Sequence, residues 1–263
     1  MTLDPRFREV ATGLAKQAGE IMLRYFQRSI EVTTKDNNTP LTIADTAIND
    51  LVVETIHREF PGHGIIAEEG GTDYVNQEFA WVCDPIDGTI SFARHIPTSA
   101  FSLALVREGT PVLGVAYDPN DKGLYIGETG QGATLNGTPI RVNGPAVIRP
   151  MVGNLSWVSN PYATENVFPA LIRDSIDVMY LHSNVYMGIL VARGDLDGVV
   201  FPGQQPWDCA ALKVIIEEAG GKVTDLFGHE QRYDGQIRGM IASNGLLHDR
   251  LVALVRESGA LDR

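Results

Sequence analysis

Asp84 and Asp87 stand three residues apart in the stretch WVCDPIDGTISF, residues 81 to 92, where an apolar run closes on Asp-Gly-Thr. Carboxylates can act as general bases, as nucleophiles or as ligands for hard cations, and their neighbours decide which. Side chains alternate faces along a strand, so residues three apart would point to opposite sides if the strand ran through both. Pro85 lacks a ladder donor and Gly88 permits a tight turn. The chain is therefore expected to leave the sheet near Pro85 with Asp84 and Asp87 able to converge, followed by the Thr89 hydroxyl and N–H. A simple hairpin turn at Asp87-Gly88 is the alternative.

Further carboxylates stand at comparable places. Glu68-Glu69 end the run GIIAEE, and if that strand lies beside the one carrying Asp84, they meet it at one edge of a sheet, where α/β proteins usually bind ligands. The stretch PWDCAAL puts Asp208 in the first turn of an expected helix, where the dipole favours an anion. Gathering Glu68, Asp84, Asp87 and Asp208 is costly, since unit charges about 4 Å apart repel by roughly 4 kcal/mol at an effective dielectric of 20. With almost no lysine or arginine near these motifs, the compensating charge is expected to come from divalent cations. An all-oxygen donor set suits magnesium or manganese, whereas zinc would want histidine or cysteine.

The elements that must hold these groups are legible as patterns. Phe7, Val10, Leu14, Ala18, Ile21, Met22 and Tyr25 recur at helical spacing over residues 5–26, with Asp4 as cap and Pro5 in the first turn. A second helix is expected from about Thr42 to Phe60, carrying Ile48, Val52 and Ile56 on one side and Asp45 in its first turn. GIIAEE and FAWVCDPI read as strands, and residues 99 to 143 as an antiparallel meander punctuated by Asp-Pro-Asn-Asp, Thr-Gly and Asn-Gly turns. Beyond Pro150, strands alternate with helices. The expectation is one layered α/β unit over residues 1–263, with a soft boundary between 1–147 and 148–263 and no internal repeat.

Composition narrows the function classes. At 263 residues and 44% apolar, the chain can bury a sizeable core. A formal net charge of −12 without a basic block disfavours nucleic-acid partners. No apolar run is long enough to span a bilayer and the start shows no signal-peptide pattern, so a cytoplasmic protein is expected. Cys83 and Cys209 make no disulfide framework and are expected to be buried free thiols. Gly62-His63-Gly64-Ile65-Ile66-Ala67 fits a dinucleotide fingerprint only by chance, because its glycines precede a strand.

Taken together, Asp84-Pro85-Ile86-Asp87-Gly88-Thr89, the Glu68-Glu69 pair, TIAD around Asp45, and WDCAA with EEAGG behind it resemble the inositol monophosphatase family of metal-dependent phosphatases, in the family's order and over nearly the whole chain. The resemblance implies an α/β/α/β/α sandwich with mixed and antiparallel sheets, usually a homodimer. It implies one Mg2+ held by Glu68, Asp84 and the Ile86 carbonyl, a second shared through Asp84 and held by Asp87 and Asp208, and a third, weaker one near Glu68 that is linked to lithium inhibition. Hydrolysis of a small phosphorylated alcohol is implied by direct attack of a metal-activated water, with Thr89 and Asp45 taking its proton and Glu68 assisting. The N–H groups of Gly88 and Thr89, with Asp87, would hold the phosphate. Lys35 matches a lysine on a mobile loop beside the metals, and Glu69 accompanies Glu68 as an auxiliary group.

Departures from the family pattern touch the substrate side. Ile90-Ser91 replaces a polar pair after Asp-Gly-Thr, Phe201 stands where inositol-specific members carry a glutamate, and His182-Ser183-Asn184-Val185 replaces a small segment lining the substrate pocket. His182, Ser183 and Phe201 are thus the candidate substrate contacts, with plain core filling the alternative for His182 and Phe201. Specificity is expected to have drifted from inositol toward sugar, cyclitol, histidinol or 3′-phosphoadenosine esters. An aspartyl-phosphate enzyme using Asp84 or Asp87 is the rival mechanism, and a catalytically silent metal-binding subunit the rival class.

Overall fold

The apolar stripe of the first segment folds as α1 (Pro5–Phe26), burying Phe7, Ala11, Leu14, Ala18 and Met22, and Asp4 caps it by accepting the Arg6 N–H at 2.9 Å. It is followed by β1 (Val32–Thr34), β2 (Pro40–Thr42), α2 (Ile43–Glu59), β3 (Gly64–Ala67), β4 (Gly71–Asp73), β5 (Phe79–Asp87) and α3 (Thr89–Ala93). Then come β6 (Ala100–Arg107), β7 (Thr110–Asp118), β8 (Gly123–Glu128), β9 (Gly132–Leu135), β10 (Thr138–Pro139) and β11 (Met151–Asn154). The chain closes with α4 (Val167–Arg173), β12 (Asp177–Met179), α5 (Asn184–Ala192), β13 (Gly198–Phe201), α6 (Ala210–Glu218), β14 (Lys222–Thr224), β15 (Met240–Ser243) and α7 (His248–Glu257). The structure is a computed structural model that describes residues 3–26, 32–34, 40–145, 149–157 and 160–262. Lys35, a candidate site residue, lies outside the described residues.

Among the described residues, the strands form a large sheet ordered β10-β9-β8-β7-β6-β5-β3-β4, a smaller one ordered β12-β11-β13-β15-β14, and a β1-β2 ribbon. The expected meander is the antiparallel run from β6 to β10. Alternation along the strands sorts the core. On β5, Trp81 and Cys83 face α1 and α2, while Ala80 and Val82 face α5 and α6. On β13 and β15, Val199 and Ala242 face α5 and α6, while Val200 and Ile241 pack with α4 and α7. Five layers result, α1/α2, large sheet, α5/α6, small sheet, α4/α7, which is the expected α/β/α/β/α sandwich.

The middle layer sits close on the large sheet because glycines line its bed. A methyl group at Gly114 on β7 would stand 2.3 Å from the Ala211 carbonyl oxygen, and one at Gly127 on β8 would stand 2.6 Å from the Ile215 Cα. No helix among the described residues is long and apolar enough to cross a membrane.

Candidate metal centre

Strand β5 differs from expectation in a way that builds the site. It continues through Pro85 to Asp87 instead of ending there. Its parallel neighbour β3 stops with Ala67 opposite Cys83, so beyond that point β5 is paired by β6 alone and a proline is tolerated. Convergence comes from a bulge. Asp84 stands opposite Ser102 and Asp87 opposite Ala100, three steps on β5 against two on β6, and the extra residue puts both carboxylates on one side. Gly88 then turns the chain with φ +85 into the short α3, so Asp87-Gly88 is not a hairpin. A methyl there would meet Ser183 Cβ at 2.9 Å and the Thr98 carbonyl at 3.0 Å, which glycine alone avoids in this conformation.

The parallel pairing of β3 with β5 brings Glu68 level with Asp84, and the Glu68 N–H donates to the Cys83 carbonyl at 3.2 Å. Asp208 arrives from the far side of the fold. It lies in a 3-10 turn, Pro206–Asp208, ahead of α6 and not in that helix's first turn, because Cys209 at φ −131 separates the two. Its backbone is pinned twice: Asn184 Nδ2 donates to the Asp208 carbonyl at 2.7 Å, and Ser102 Oγ to the Trp207 carbonyl at 3.1 Å. One oxygen each from Asp84, Asp87 and Asp208 lies within 4.8 Å of the others. Together with Glu68, Ile86, Gly88, Thr89, Ile90 and His182 they line a cavity of about 160 Å3.

The electrostatics are those of like charges out of water. Burial, then the charges of Glu68, Asp87 and Asp208, push Asp84 well above the usual carboxylate range, and Asp84 Oδ1 is buried with no hydrogen-bond partner. Burial raises Asp87 to about 6 despite the donors on its Oδ2, namely the Ser183 hydroxyl and the Val185 N–H at 2.7 Å. Those donors are the N-terminus of α5, which Ser183 also caps by accepting the Tyr186 N–H. An orphaned buried oxygen amid raised carboxylates is an arrangement a hard divalent cation would satisfy, and the donor set fits one. Burial likewise pushes the Cys83 and Cys209 thiols up, so both stay protonated, as expected of inert core cysteines.

Other expected site residues are placed less simply. Asp45 is buried at the start of α2 in a capping box, its Oδ2 accepting from the Thr42 N–H at 2.9 Å and from the Thr42 hydroxyl. Burial raises it to about 7, with Glu69 and Glu68 adding to the rise, and its Oδ1 has no partner. Thr89 instead donates its hydroxyl to the Ile86 carbonyl at 3.1 Å, so the Thr89–Asp45 pair implied by resemblance is not closed by a hydrogen bond among the described residues. Ser183, expected at the substrate, is fully buried and committed to Asp87, and so acts as a positioning residue. Phe201 fills the core against Trp157, with ring centroids 5.8 Å apart, and does not line the cavity. His182 does line it. Sequence reasoning missed Ser102 and Asn184 as anchors of the Asp208 turn, because nothing local distinguishes such residues from ordinary polar ones.

Residues 4–260 match the inositol monophosphatase family. A histidinol-phosphatase of Chlorobaculum parvum is 33% identical over 97% of this chain and 98% of its own length. Among solved structures, an IMPase of Thermotoga maritima superposes with a TM-score of 0.85 at 30% identity, covering 96% of this chain and 98% of that one. An inositol monophosphatase from Anabaena does so with 0.85 at 31%, covering 98% of each.

Proposed function

The chain belongs to the inositol monophosphatase family of metal-dependent phosphatases, and from that premise we propose that it is a Mg2+-dependent phosphomonoesterase acting on a small phosphorylated alcohol. The carrying observation is the meeting of Asp84, Asp87 and Asp208 on one cavity wall, with a buried Asp84 oxygen left without a partner. In this reading Glu68, Asp84, Asp87, Asp208 and the Ile86 carbonyl would hold two or three magnesium ions. Bound there, the cations supply the positive charge that offsets the carboxylates, attracts the phosphate and makes water acidic enough to attack phosphorus.

The chain's own groups then have distinct tasks. Ser183 and the α5 N-terminus fix Asp87 through Oδ2 and so orient Oδ1. The N–H groups of Gly88 and Thr89 are the donors for phosphate oxygens at the turn. The Thr89 hydroxyl, which here donates to the Ile86 carbonyl at 3.1 Å, would have to turn from it to pass a proton toward Asp45, whose partnerless Oδ1 and raised affinity suit it as acceptor. We read the substrate as a small phosphate monoester whose alcohol, be it sugar, cyclitol, histidinol or nucleoside, is selected at the mouth of the cavity, and the protein as a cytoplasmic homodimer; light scattering would check the dimer.

Hydrolysis of a panel of phosphate monoesters with Mg2+, abolished by chelator and restored by added metal, is the expected result. Asp84→Asn and Asp208→Asn should each lower turnover by about a thousandfold, because several kcal/mol of charge stabilisation disappear, while circular dichroism stays that of the parent. Near-parental rates in either variant would contradict the assignment. Acid-stable label trapped on Asp84 or Asp87 during turnover would replace direct water attack with a phosphoaspartate route.

A further inference from the structure

The floor of the cavity is carboxylate and turn backbone, from Glu68, Asp84, Asp87, Asp208 and Ile86 to Thr89, which suits the metal and phosphate end of a substrate, so the alcohol rests at the mouth. Two exposed side chains of the lining stand there, Ile90 and His182. His182 is held with φ +56, a left-handed conformation uncommon outside glycine. Several contacts enforce it. The Leu181 carbonyl accepts from Thr98 Oγ1 at 3.0 Å and Ser91 Oγ at 3.3 Å, and Ser183 on the other side is locked to Asp87. Tyr180 meets the His182 imidazole edge-on, ring centroids 4.4 Å apart at 89°, and its hydroxyl donates to the Ser156 carbonyl at 3.0 Å. A half-exposed tyrosine anchored at its far end thus props an exposed imidazole on the wall of the site.

We infer that His182, propped edge-on by Tyr180, is a platform on which a planar ring carried by the substrate's alcohol stacks, with Ile90 giving further apolar contact. A flat polarisable face favours another flat ring over a puckered polyol, because offset stacking depends on planarity as well as on apolar area. In the proposed reaction Thr89 serves the attacking water and the lining carboxylates serve the metal site. Among the described residues the wall therefore has few groups left to grip ring hydroxyls, consistent with Phe201 in the core. The inference rests on the reading of this cavity as the phosphatase site.

Three esters separate the possibilities: 2-phenylethyl phosphate, its saturated counterpart 2-cyclohexylethyl phosphate, and myo-inositol 1-phosphate, each assayed with Mg2+. The flat ester should have the highest kcat/KM, through a lower KM. His182→Asn keeps a side chain that tolerates the left-handed backbone while removing the ring, and Tyr180→Leu removes the prop. Each should cut the ratio of kcat/KM between the phenyl and cyclohexyl esters by about tenfold, the scale of one lost stacking partner. Equal cleavage of the flat and saturated esters by the parent protein, or proportional loss on all three in His182→Asn, would overturn the platform and leave the phosphatase reading standing. Failure to cleave any ester would overturn both.

Discussion

At the residue scale, the site depends on second contacts that aim the carboxylates. Ser183 is the sharpest case, since one hydroxyl donates to Asp87 Oδ2 and accepts the Tyr186 N–H, coupling the cap of α5 to the orientation of a proposed ligand. Ser183→Ala should therefore cost about 1 kcal/mol of stability, as lost caps do. It should also lower kcat and raise the Mg2+ concentration needed for half-maximal rate. Urea titration and a magnesium titration of activity measure the two effects separately. A variant that loses stability but keeps its magnesium dependence would make Ser183 a cap and nothing more. Asp84, Asp87 and Glu68 were legible from sequence because Asp-x-x-Asp and Glu-Glu follow apolar runs; the role of Ser183 was not, since a serine before a helix looks the same whether or not it also holds a carboxylate.

At the element scale, the parts that matter are the β5 bulge and the seat of α6. Helix α6 follows the turn carrying Asp208, and it reaches the sheet through Gly114 and Gly127. Gly127→Ala should push α6 outward, costing about 1–3 kcal/mol as overpacking does, and should lower activity by displacing Asp208 although residue 127 lies outside the site. Chemical denaturation and kcat/KM would be compared; a destabilised protein with unchanged specific activity would show that the Asp208 turn is held by Ser102 and Asn184 alone. Helices α1 and α2 were read from sequence with bounds close to those observed, because their apolar spacing is regular, whereas the short α4 was not read. The end of β5 was not, because one residue of bulge reverses the face of everything after it and leaves no mark in the local pattern except a proline that pointed the other way.

At the scale of the whole molecule, the two sheets share a core through α5 and α6, and buried polar groups beyond the site tune its stability. His248 packs between β14 and β15. Its Nε2 lies 3.0 Å from Thr224 Oγ1 and its Nδ1 3.0 Å from Ser243 Oγ. Thr224 donates its hydroxyl to the Asp225 carbonyl, so the ring donates through Nε2 and accepts at Nδ1, which is a neutral imidazole. Burial, then the charge of Lys222, hold it down at about 4 against an ordinary 6.5. As pH falls through 6.5 the unfolded chain takes up a proton that the folded chain refuses, so His248 removes stability between about pH 6.5 and 4, against the raised Asp45, Asp84 and Asp87, which bind protons more readily in the folded chain and add stability as pH falls. Urea midpoints across that range isolate this contribution as a difference, and His248→Gln should gain stability relative to the parent as pH falls from 6.5 to 4. An unchanged slope in the variant would assign the acid sensitivity to other groups.

The sequence by itself determined the two N-terminal helices, the meander, the layered class and most of the acidic groups, because periodicity and residue chemistry are local and survive without coordinates. It also carried the family, through motifs whose combination is hard to meet by accident. Only the tertiary structure decided which oxygens meet. The bulge that turns Asp87 to the side of Asp84, the parallel register that sets Glu68 beside it, and the anchors that bring in Asp208 from far along the chain are relations between distant segments, fixed by packing after the chain has closed on itself.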